Sequence, residues 1–470
     1  MAEQDARYLN VQDAMDWFYR GEGAANIVLA YRGSDPLLVG KVLRLKKIPL
    51  DGQHVQKSNN SWKPILGEEE QKLWESWPSV ARATSLESLI QAYARDVMSP
   101  LLGPEYVDPG ILLHVSGEFL EKVTCNVHHA RPCSRITATK IDTTSSSALL
   151  ISDHSVFWPL AGADQDKYLL PSISVEIKPK CGFLPNSDFI VTGNDIKKRV
   201  PRFTMHQVLK LTERQVKLLS QYSPLDLFSG DLNRINEAVD SLFQIPQNNL
   251  RVFVGGSIID AVFCDSSPDC ANWQALNEAL QSCIFSENKV EPVELLKELV
   301  AQSLYETNAL RNLLAAQKLD SLDIEGAIHA YEKVSYSKCM DNLKETTLDI
   351  DDGPSLKSVD LVDGMSLSEC RQVVRNYLIA ATAKDCSLML TFQQVPNFKA
   401  EDAEVEHYKL ISSSKSRYPF VFKINFVDLD LKPLNKMLHY YHIDQKIVKT
   451  YLATIQSGGD DKAHSLAPLN

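Results

Sequence analysis

A glutamate and two lysines occupy every second position of an otherwise apolar run. In SVEIKPKCGFLP, residues 174–185, these are Glu176, Lys178 and Lys180. Side chains two residues apart in a β-strand share a face, at a spacing of roughly 6.5 to 7 Å. Glu176 can neutralise only one of the lysines, so the pattern favours a ligand that carries several negative charges. The alternative is an exposed strand face with an ordinary ion pair.

Two aspartates stand where a phosphotransferase needs carboxylates. Asp385 lies between a helix predicted over 366–383 and the strand-like KDCSLMLTF, and Asp428 ends the apolar run FKINFVD. In kinase-type folds the first position orients or deprotonates the attacking hydroxyl, and the second binds Mg²⁺. We predict Asp385 as a catalytic residue, and Asp385 and Asp428 as metal ligands. Each would also suit a helix cap or a turn.

A glycine-rich stretch, RGEGAAN at 20–26, lies between two β-rich runs. Glycines let backbone N–H groups approach phosphates closely, as in the nucleotide loop of a kinase N-lobe. A Rossmann fingerprint is excluded because no helix follows the glycines. Asn26 replaces the third glycine of the kinase pattern, and an ordinary hairpin turn is the alternative.

The following strand, VGKVLRL, carries two cations, Lys41 and Arg44, on opposite faces. Val42 and Arg44 have the spacing of the apolar residue and the phosphate-binding cation in kinase strand three. We therefore favour Arg44 for the ATP phosphates, with Lys41 as second choice. The alternative is that both are solvated cations of an edge strand.

Basic residues from distant segments would complete an anion pocket. Lys432 and Lys436 are four residues apart, so a helix that contained both would present them on one side, with Tyr440 next. His206, one turn before Lys210, is a further candidate, although a core histidine is the alternative. A solvated helix face is the alternative for the lysine pair. The remaining members of this predicted pocket are Arg131, Arg135, Lys178, Lys180 and Lys210.

Hydrophobic periodicity outlines the elements that must position these residues. A chain of 470 residues with 44% hydrophobic residues is globular in composition and long enough for two lobes. We place the change of lobe near Ser152. The first predicted elements are a hairpin over 13–48, a helix from Leu86 to Val97 and a strand-like run over 111–123. The helix is expected to stop at Pro100 and to pack on the hairpin sheet. Farther along the chain we predict helices over 291–334, a mobile loop over 396–417 and a disordered tail from Ser457.

Charge and cysteine content narrow the class of protein. The net charge of −11 argues against nucleic acid or a membrane surface as a nonspecific partner, since both select basic proteins. Nine cysteines without a CxxC pair indicate reduced thiols. The polar start has no signal-peptide pattern, and no apolar run is long enough to span a membrane. We expect a cytoplasmic protein, with the nucleus as a second location.

The segments YRGEGAANIVLAY, SVEIKPKCGFLP, RFTMHQVLKL, LIAATAKDCS and FVDLDLKPL resemble the inositol-pentakisphosphate 2-kinase family, the plant form in particular. The resemblance implies a two-lobed, protein-kinase-like α+β fold: a β-rich N-lobe over 1–152, a larger C-lobe with helical insertions over 153–455, and a flexible tail over 456–470. It implies ATP and Mg²⁺ as cofactors, an inositol polyphosphate as partner, and transfer of phosphate to the 2-hydroxyl of inositol 1,3,4,5,6-pentakisphosphate to give the hexakisphosphate, phytate. A monomer is expected.

The resemblance also implies roles for individual residues. Lys178 would bridge to the transferring phosphate, Asp385 would act at the 2-hydroxyl, and Asp428 would hold Mg²⁺. The residues implied for ATP are Gly23, Ala24, Ala25, Asn26, Arg44, Ser152, Asp153, His154, Glu176 and Arg251. Those for the substrate phosphates are Arg135, Lys180, Lys210, Asn248, Lys432, Lys436 and Tyr440, to which the spacing argument adds His206.

Two departures from the family pattern bear on function. Lys436 stands where relatives have arginine, which exchanges a bidentate phosphate contact for a point charge. Of the structural zinc ligands of plant relatives, His329 and Cys339 match, but Asn342 replaces a cysteine and no histidine follows in the next stretch. We predict no structural zinc, because such sites need four ligands.

Two other functions compete with an active inositol phosphate kinase. A catalytically inactive inositol-phosphate-binding protein on the same fold would be expected to lose Asp385, Asp428 or the phosphate-loop residues, and all are present. A protein kinase or adaptor is disfavoured because the HRD and DFG motifs are missing from the sequence.

Overall fold

The computed structural model describes residues 8–50, 63–157, 170–259, 271–285, 291–342, 364–395 and 409–457. These residues form helices and antiparallel sheets, which confirms the α+β class. The α-helices are α1 (Glu68–Leu73), α2 (Pro78–Ala81), α3 (Leu86–Tyr93), α4 (Ser99–Leu102), α5 (Gly117–Val127), α6 (Cys133–Ile136), α7 (Arg202–Thr212), α8 (Pro224–Leu227), α9 (Leu232–Gln244), α10 (Ala271–Gln281), α11 (Pro292–Glu306), α12 (Ala309–Gln317), α13 (Asp323–Asn342), α14 (Leu367–Asp385) and α15 (Met437–Ser457).

The first sheet confirms the predicted hairpin and extends it. Its strands are β1 (Trp17–Glu22), β2 (Asn26–Tyr31), β3 (Lys41–Pro49), β4 (Ile111–His114), β5 (Thr139–Ile141) and β6 (Ser147–Ser152). The order is β1-β2-β3-β6-β4, with β5 paired to β3, and every pair is antiparallel. Residues 13–16, the start of the predicted hairpin, belong instead to a 3₁₀ turn over Val11–Asp16.

Helix α5 covers one face of this sheet, where Phe119 and Val123 share a core with Leu43 and Leu45. The strand-like prediction over 111–123 is therefore wrong for its second half. The cause is a helix cap: the Ser116 hydroxyl accepts a hydrogen bond from the Phe119 N–H at 3.1 Å and so starts the helix.

The second sheet contains the strands that lie beside Glu176, Asp385 and Asp428. Its strands are β7 (Ile173–Ile177), β8 (Leu250–Val254), β9 (Ser257–Ile258), β10 (Ser387–Gln394), β11 (Lys409–Ile411) and β12 (Phe420–Val427). Their order is β11-β12-β10-β7-β8-β9, again antiparallel throughout. Helix α14 leads into β10 through Cys386, so the predicted junction of helix and strand at Asp385 is confirmed.

The helix predicted from Leu86 contacts the hairpin sheet as predicted, but its apolar side chains pack on a different core. Helix α3 lies against β4 and β6, and the Ser147 hydroxyl of β6 donates to the Glu87 carboxylate at 2.7 Å. Leu89, Tyr93 and Val97 belong to the large core of the second sheet and its helices. The helix also continues beyond Pro100 into α4 through a π-type turn over Ala94–Met98. Pro100 is the second residue of α4 and directly follows the π-type turn, so it lies where the regular i→i−4 hydrogen-bond pattern of the helix is already interrupted.

The remaining predicted elements have mixed outcomes. The helical region over 291–334 divides into α11, α12 and α13. Of the loop predicted over 396–417, residues 396–408 lie outside the described residues, whereas Lys409–Ile411 forms β11 and pairs with β12. Residues 458–470 of the predicted tail also lie outside. Within the described residues, no helix combines the length and the apolar character that crossing a membrane requires.

Candidate active site

Three predicted residues lie at one edge of the second sheet. The registers of β7, β10 and β12 align the end of β7, the start of β10 and the end of β12. Lys178 follows β7, Asp385 precedes β10 and Asp428 follows β12, so antiparallel pairing brings two carboxylates and a cation to the same edge. The Lys178 Nζ lies 3.9 Å from an Asp428 carboxylate oxygen.

The Asp385 carboxylate is paired with Lys432. Their nitrogen and oxygen are 2.6 Å apart. The Asp385 side chain is 60% exposed, yet the protein atoms around it displace enough water to favour a raised pKa. The positive charges of Lys432, Lys180 and Lys178 outweigh this desolvation and lower the pKa. Tyr440 interacts electrostatically with both members of the pair, and burial raises the pKa of its phenol. Asp385 is therefore an ionised carboxylate surrounded by cations.

Helix α7 adds positive charge to this region. Arg202, His206 and Lys210 follow one another at four-residue spacing and so lie along one side of the helix. Burial, together with the neighbouring cations Lys178, Lys210 and Arg202, lowers the pKa of Lys180 to about 8, although the charge of Asp385 opposes this shift. Burial, together with Arg202 and Lys210, lowers the pKa of His206 to about 4, so this imidazole is neutral. Such crowding of like charges favours an anionic ligand.

Glu176 is buried in β7 rather than exposed beside the two lysines. Its carboxylate accepts a hydrogen bond from the Ser387 hydroxyl at 2.8 Å and lies 3.6 Å from the Arg251 guanidinium. Glu176 and Arg251, both predicted for the nucleotide, are thus in contact with each other across β7 and β8.

The strict alternation predicted through Lys180 is wrong. Strand β7 ends at Ile177, and Lys180 has a left-handed backbone with a φ of 62°. This conformation is held by Gln317, whose side-chain amide donates to the Lys180 carbonyl at 2.8 Å and accepts from the Gly182 N–H at 2.8 Å. The chain therefore turns at Lys180, and the turn rather than a strand face aims this lysine toward Asp385.

Arg44 reaches across from β3 to the segment after β12. Its guanidinium donates two hydrogen bonds to the carboxylate of Asp430, one of them at 2.8 Å. Burial alone would lower the pKa of Arg44, but the charge of Asp430 and these hydrogen bonds outweigh burial and raise it. The cation favoured for ATP phosphates is thus fixed near Asp428, the predicted metal ligand.

The glycine-rich turn joins β1 to β2. The Gly23 N–H donates to the Asn26 carbonyl at 3.0 Å, and Ala24 and Ala25 are exposed. Side chains added at Gly21 or Gly23 would meet no atom within 4 Å, so the turn leaves open space beside its backbone.

Arg131 does not belong to the anion pocket. It is buried and donates two hydrogen bonds of 2.9 Å to Glu22, which also pairs with Lys47. Because a buried carboxylate needs compensation, both cations are committed to Glu22 in the glycine-rich hairpin. Arg131 therefore fixes the turn, and its prediction as a pocket residue is wrong.

The connection after β6 carries Ser152, Asp153 and His154, three of the residues implied for ATP. The Ser152 N–H donates to Asp108 at 2.9 Å, and a His154 nitrogen lies 3.8 Å from the same carboxylate. Burial, helped by the nearby charge of Lys423, lowers the pKa of His154 to about 4. The Asp153 carboxylate pairs with Arg20 of β1.

A cavity of about 440 Å³ lies beside Ser152 and His154, with Lys41 and Lys423 in its wall. The Lys41 ammonium donates to the Ser152 hydroxyl at 2.9 Å. The second-choice cation for ATP phosphates therefore lies at this cavity, away from Asp430 and Arg44.

Lys432 and Lys436 do not share a helix. Leu434–Lys436 is a 3₁₀ turn and α15 begins at Met437, so the spacing argument for this pair is wrong. Pro433 explains the difference, because it lacks an N–H and disfavours helical geometry in the residue before it. Lys432 contacts Asp385, whereas Lys436 is exposed.

Arg135 and Asn248 are exposed as well. Across the described part of the chain, no ion pair joins Arg135 or Lys436 to the cluster of cations around Asp385. Their predicted contacts with substrate phosphates stay predictions.

Sequence reasoning missed Arg202 and Asp430. Arg202 had a detectable signal, since Arg202, His206 and Lys210 repeat every four residues in RFTMHQVLK. The sequence signal for Asp430 was weaker, since it consisted only of the position of Asp430 two residues after Asp428. Its partner Arg44 is 386 positions away, so the sequence could not reveal that pair.

Asp385 and Asp428 suit Mg²⁺. Both side chains are 60% exposed, and both offer the carboxylate oxygens that this cation prefers while leaving room for its waters. Asp385 and Asp428 could therefore hold Mg²⁺, and their role as its ligands stays a prediction.

A second acidic group, Asp323, Glu325 and Asp444, has carboxylates close enough together to hold a metal ion. The Lys197 ammonium pairs with all three, at 3.0 Å from Glu325 and 2.7 Å from Asp444. A cation already fills the space between the carboxylates, so we interpret this group as a buried ion-pair network. The predicted lack of structural zinc stays a prediction, because the side chains of Cys339 and Asn342 lie outside the described part.

Comparison with known proteins agrees with the resemblance seen in the sequence. The model of the inositol-pentakisphosphate 2-kinase family matches residues 19–446. The inositol-pentakisphosphate 2-kinase of Arabidopsis thaliana is 42% identical over 447 residues, which cover 94% of each chain. The rice protein of the same name (Oryza sativa subsp. indica) is 40% identical over 97% of each chain. The zebrafish (Danio rerio) protein is 31% identical over 96% of this chain and 95% of its own.

Proposed function

The chain belongs to the inositol-pentakisphosphate 2-kinase family, and on that premise we propose that it transfers the γ-phosphate of ATP to the 2-hydroxyl of inositol 1,3,4,5,6-pentakisphosphate, giving the hexakisphosphate. The observation that carries this proposal is the shared edge of β7, β10 and β12, where Asp385, Asp428 and Lys178 meet among cations.

The charge of the site suits such a substrate. Five phosphates bring about eight to ten negative charges, which would repel ATP unless the protein compensates for them. Lys432 and Lys180 lie near Asp385, and Lys210 and Arg202 lie near Lys180. Arg202 is paired with Asp444, but the lowered pKa of Lys180 indicates that the cations around it are not fully compensated. Several cations around one ring would also select substrates that already carry the other phosphates.

Asp385 has the properties of an orienting residue. Its lowered pKa makes it a weak base, but phosphoryl transfer through a loose transition state needs an aligned hydroxyl more than early deprotonation. In this proposal a substrate phosphate draws Lys432 away from Asp385, and the carboxylate then accepts the hydrogen bond and finally the proton of the 2-hydroxyl. Lys178 stabilises negative charge on the transferring phosphoryl group, and ADP leaves.

The two sheets would serve as the two lobes of a kinase-type fold, with ATP between them. The glycine-rich turn and Arg44 suit the phosphates, and the connection through Ser152, Asp153 and His154 suits the adenine. Asp428 and Asp385 would hold Mg²⁺, which would neutralise charge on the phosphates when bound.

The competing function is a protein that binds inositol polyphosphates without catalysis. The presence of Asp385, Asp428 and Lys178 at one sheet edge favours the enzyme, because phosphate binding alone requires no such carboxylates.

Turnover tests the proposal directly. We expect the purified chain with ATP, Mg²⁺ and the pentakisphosphate to produce ADP and the hexakisphosphate in equal amounts, with the new phosphate located at position 2 by ³¹P NMR. Asp385→Ala should lower kcat by about 10² or more, whereas Asp226→Ala, which alters an exposed ion pair with Arg234, should leave it unchanged. Tight binding of the pentakisphosphate without turnover would favour the competing function.

A further inference from the structure

Asp430 is a partly buried link between the two sheets that the proposed mechanism does not use. Its two carboxylate oxygens each accept a hydrogen bond from Arg44, which belongs to β3 of the first sheet, whereas Asp430 follows β12 of the second. The Arg44 side chain is 13% exposed and the Asp430 side chain 35%. A bidentate pair of this kind fixes the plane of the guanidinium as well as its position.

The backbone of Asp430 is itself held in place. Its carbonyl accepts a hydrogen bond from the Thr382 hydroxyl at 3.0 Å, and that hydroxyl lies 3.3 Å from the phenol of Tyr93. Thr382 is one turn before Asp385 in α14, and Tyr93 is fully buried in α3. Asp430 is therefore anchored to the helix that ends at the proposed catalytic aspartate.

Arg44 keeps donors for a second anion. A guanidinium has five N–H groups in one plane, and the pair with Asp430 uses two of them. The other three are available to phosphate oxygens. Both Asp430 oxygens are engaged by Arg44, so this carboxylate is committed to the cation rather than to a metal ion.

We propose that Asp430 is the positioning residue for ATP: it holds the guanidinium of Arg44 in the orientation that receives the nucleotide phosphates and ties that cation to the loop of Asp428. The inference rests on the proposed function, since it assumes that the phosphates bind at Arg44. In this assignment, the loop that carries the proposed metal ligand Asp428 also carries Asp430, the counter-charge of Arg44. The first sheet and the proposed metal site would therefore be fixed relative to each other before ATP binds.

Binding of ADP in the presence of Mg²⁺, measured by calorimetry without inositol phosphate, tests the assignment. We expect Asp430→Asn to weaken ADP binding by about tenfold or more, because it removes a charge-assisted bidentate pair. Asp430→Glu, which keeps the charge, should recover part of the loss. The KM for the pentakisphosphate should change much less than the KM for ATP.

A double-mutant cycle separates action through Arg44 from direct contact with the nucleotide. If Asp430 acts through Arg44, then Arg44→Met and Arg44→Met combined with Asp430→Asn should bind ADP equally weakly. The control Asp226→Asn removes the carboxylate of an exposed arginine pair elsewhere and should leave ADP affinity unchanged. Titrations are made well below the melting temperature of each variant, since Arg44 without Asp430 is a buried cation that has lost its ion-pair partner.

The outcomes of these experiments distinguish the positioning role of Asp430 from the proposed function of the chain. Unchanged or tighter ADP binding by Asp430→Asn, with normal binding by the parent chain, overturns the positioning role alone. Additive losses in the cycle also overturn it. Failure of the parent chain to bind ADP overturns the proposed function and this inference together.

Discussion

Lys180 combines an unusual backbone with an unusual charge state. Its left-handed conformation is fixed by Gln317, and its ammonium is buried beside other cations. A lysine whose pKa is lowered to about 8 loses its charge within an accessible pH range. The residue that faces Asp385 is therefore the one whose titration should be visible in the kinetics.

The pH dependence of substrate affinity follows from that pKa. Bound phosphates restore the charge of Lys180, so above a pH of about 8 binding requires proton uptake and affinity falls as pH rises, by up to about tenfold per pH unit. The stability of the free protein depends on pH in the opposite direction. Between a pH of about 8 and 10.5 the Lys180 side chain is protonated in the unfolded chain but largely deprotonated in the folded chain, so its contribution to stability rises with pH. We expect the KM for the pentakisphosphate to rise above this pH.

Lys180→Arg should remove most of that rise, because a guanidinium stays charged. Lys446→Arg, which changes an exposed lysine paired with Glu213, should keep the parent profile. A KM that stays flat in the parent chain, or that rises equally in Lys180→Arg, would contradict the assignment.

At the scale of elements, sequence patterns found the strands and helices that carry the site but not the contacts between them. Asp385 could be placed because a helical period changes to a β-rich run beside it. Arg131 was misplaced because its partner Glu22 is 109 positions away, and nothing local distinguishes a cation that compensates a buried carboxylate from one that binds substrate. The interruption of the helix between Lys432 and Lys436 could have been predicted, since Pro433 disfavours a continuous helix there.

The Lys197 network shows the same limit. It joins the 3₁₀ turn before α7 to the start of α13 and to α15 through Asp323, Glu325 and Asp444. Asp444 also accepts a hydrogen bond from Arg202, the first residue of α7, at 3.0 Å. The network therefore sets the position of the helix that bears His206 and Lys210.

Lys197→Met should leave three buried carboxylates without their shared counter-charge. We expect the free energy of unfolding to fall by about 3 to 5 kcal/mol in urea titrations. The neighbouring control, Lys198→Met, removes a partly exposed pair with Asp195 and should cost about 1 kcal/mol or less. Equal losses in the two variants would show that the buried network does not carry the stability assigned to it.

At the scale of the whole molecule, an acidic protein concentrates cations at one place. The net charge is −11, yet Lys178, Lys180 and Lys432 lie close enough to Asp385 to lower its pKa, and Lys210 and Arg202 lie near Lys180. Arg20 of β1 also links the two sheets, because it pairs with Asp153 after β6 and donates a hydrogen bond to the Gly256 carbonyl just before β9. A polyanion should therefore bind locally and stabilise the fold.

Thermal unfolding should report that binding. At about 100 times its Kd, a ligand adds about 2.7 kcal/mol to stability, so the hexakisphosphate should raise the Tm by several degrees. Raising salt from about 0.05 M to about 0.5 M should reduce this increase, because screening weakens attraction between charges. Unphosphorylated inositol is the matched control and should leave the Tm unchanged; a salt-independent increase would argue against electrostatic recognition.

The large core has a consequence for synthesis of the chain. Leu89, Tyr93 and Leu102 precede every strand of the second sheet, yet they are buried with Ile177, Leu388 and Phe426. As the polypeptide leaves the ribosome, α3 and α4 emerge long before the surfaces that will cover them. The apolar faces of these helices therefore stay uncovered in the nascent chain until the second sheet has been synthesised, and we expect chaperones to protect them during that interval.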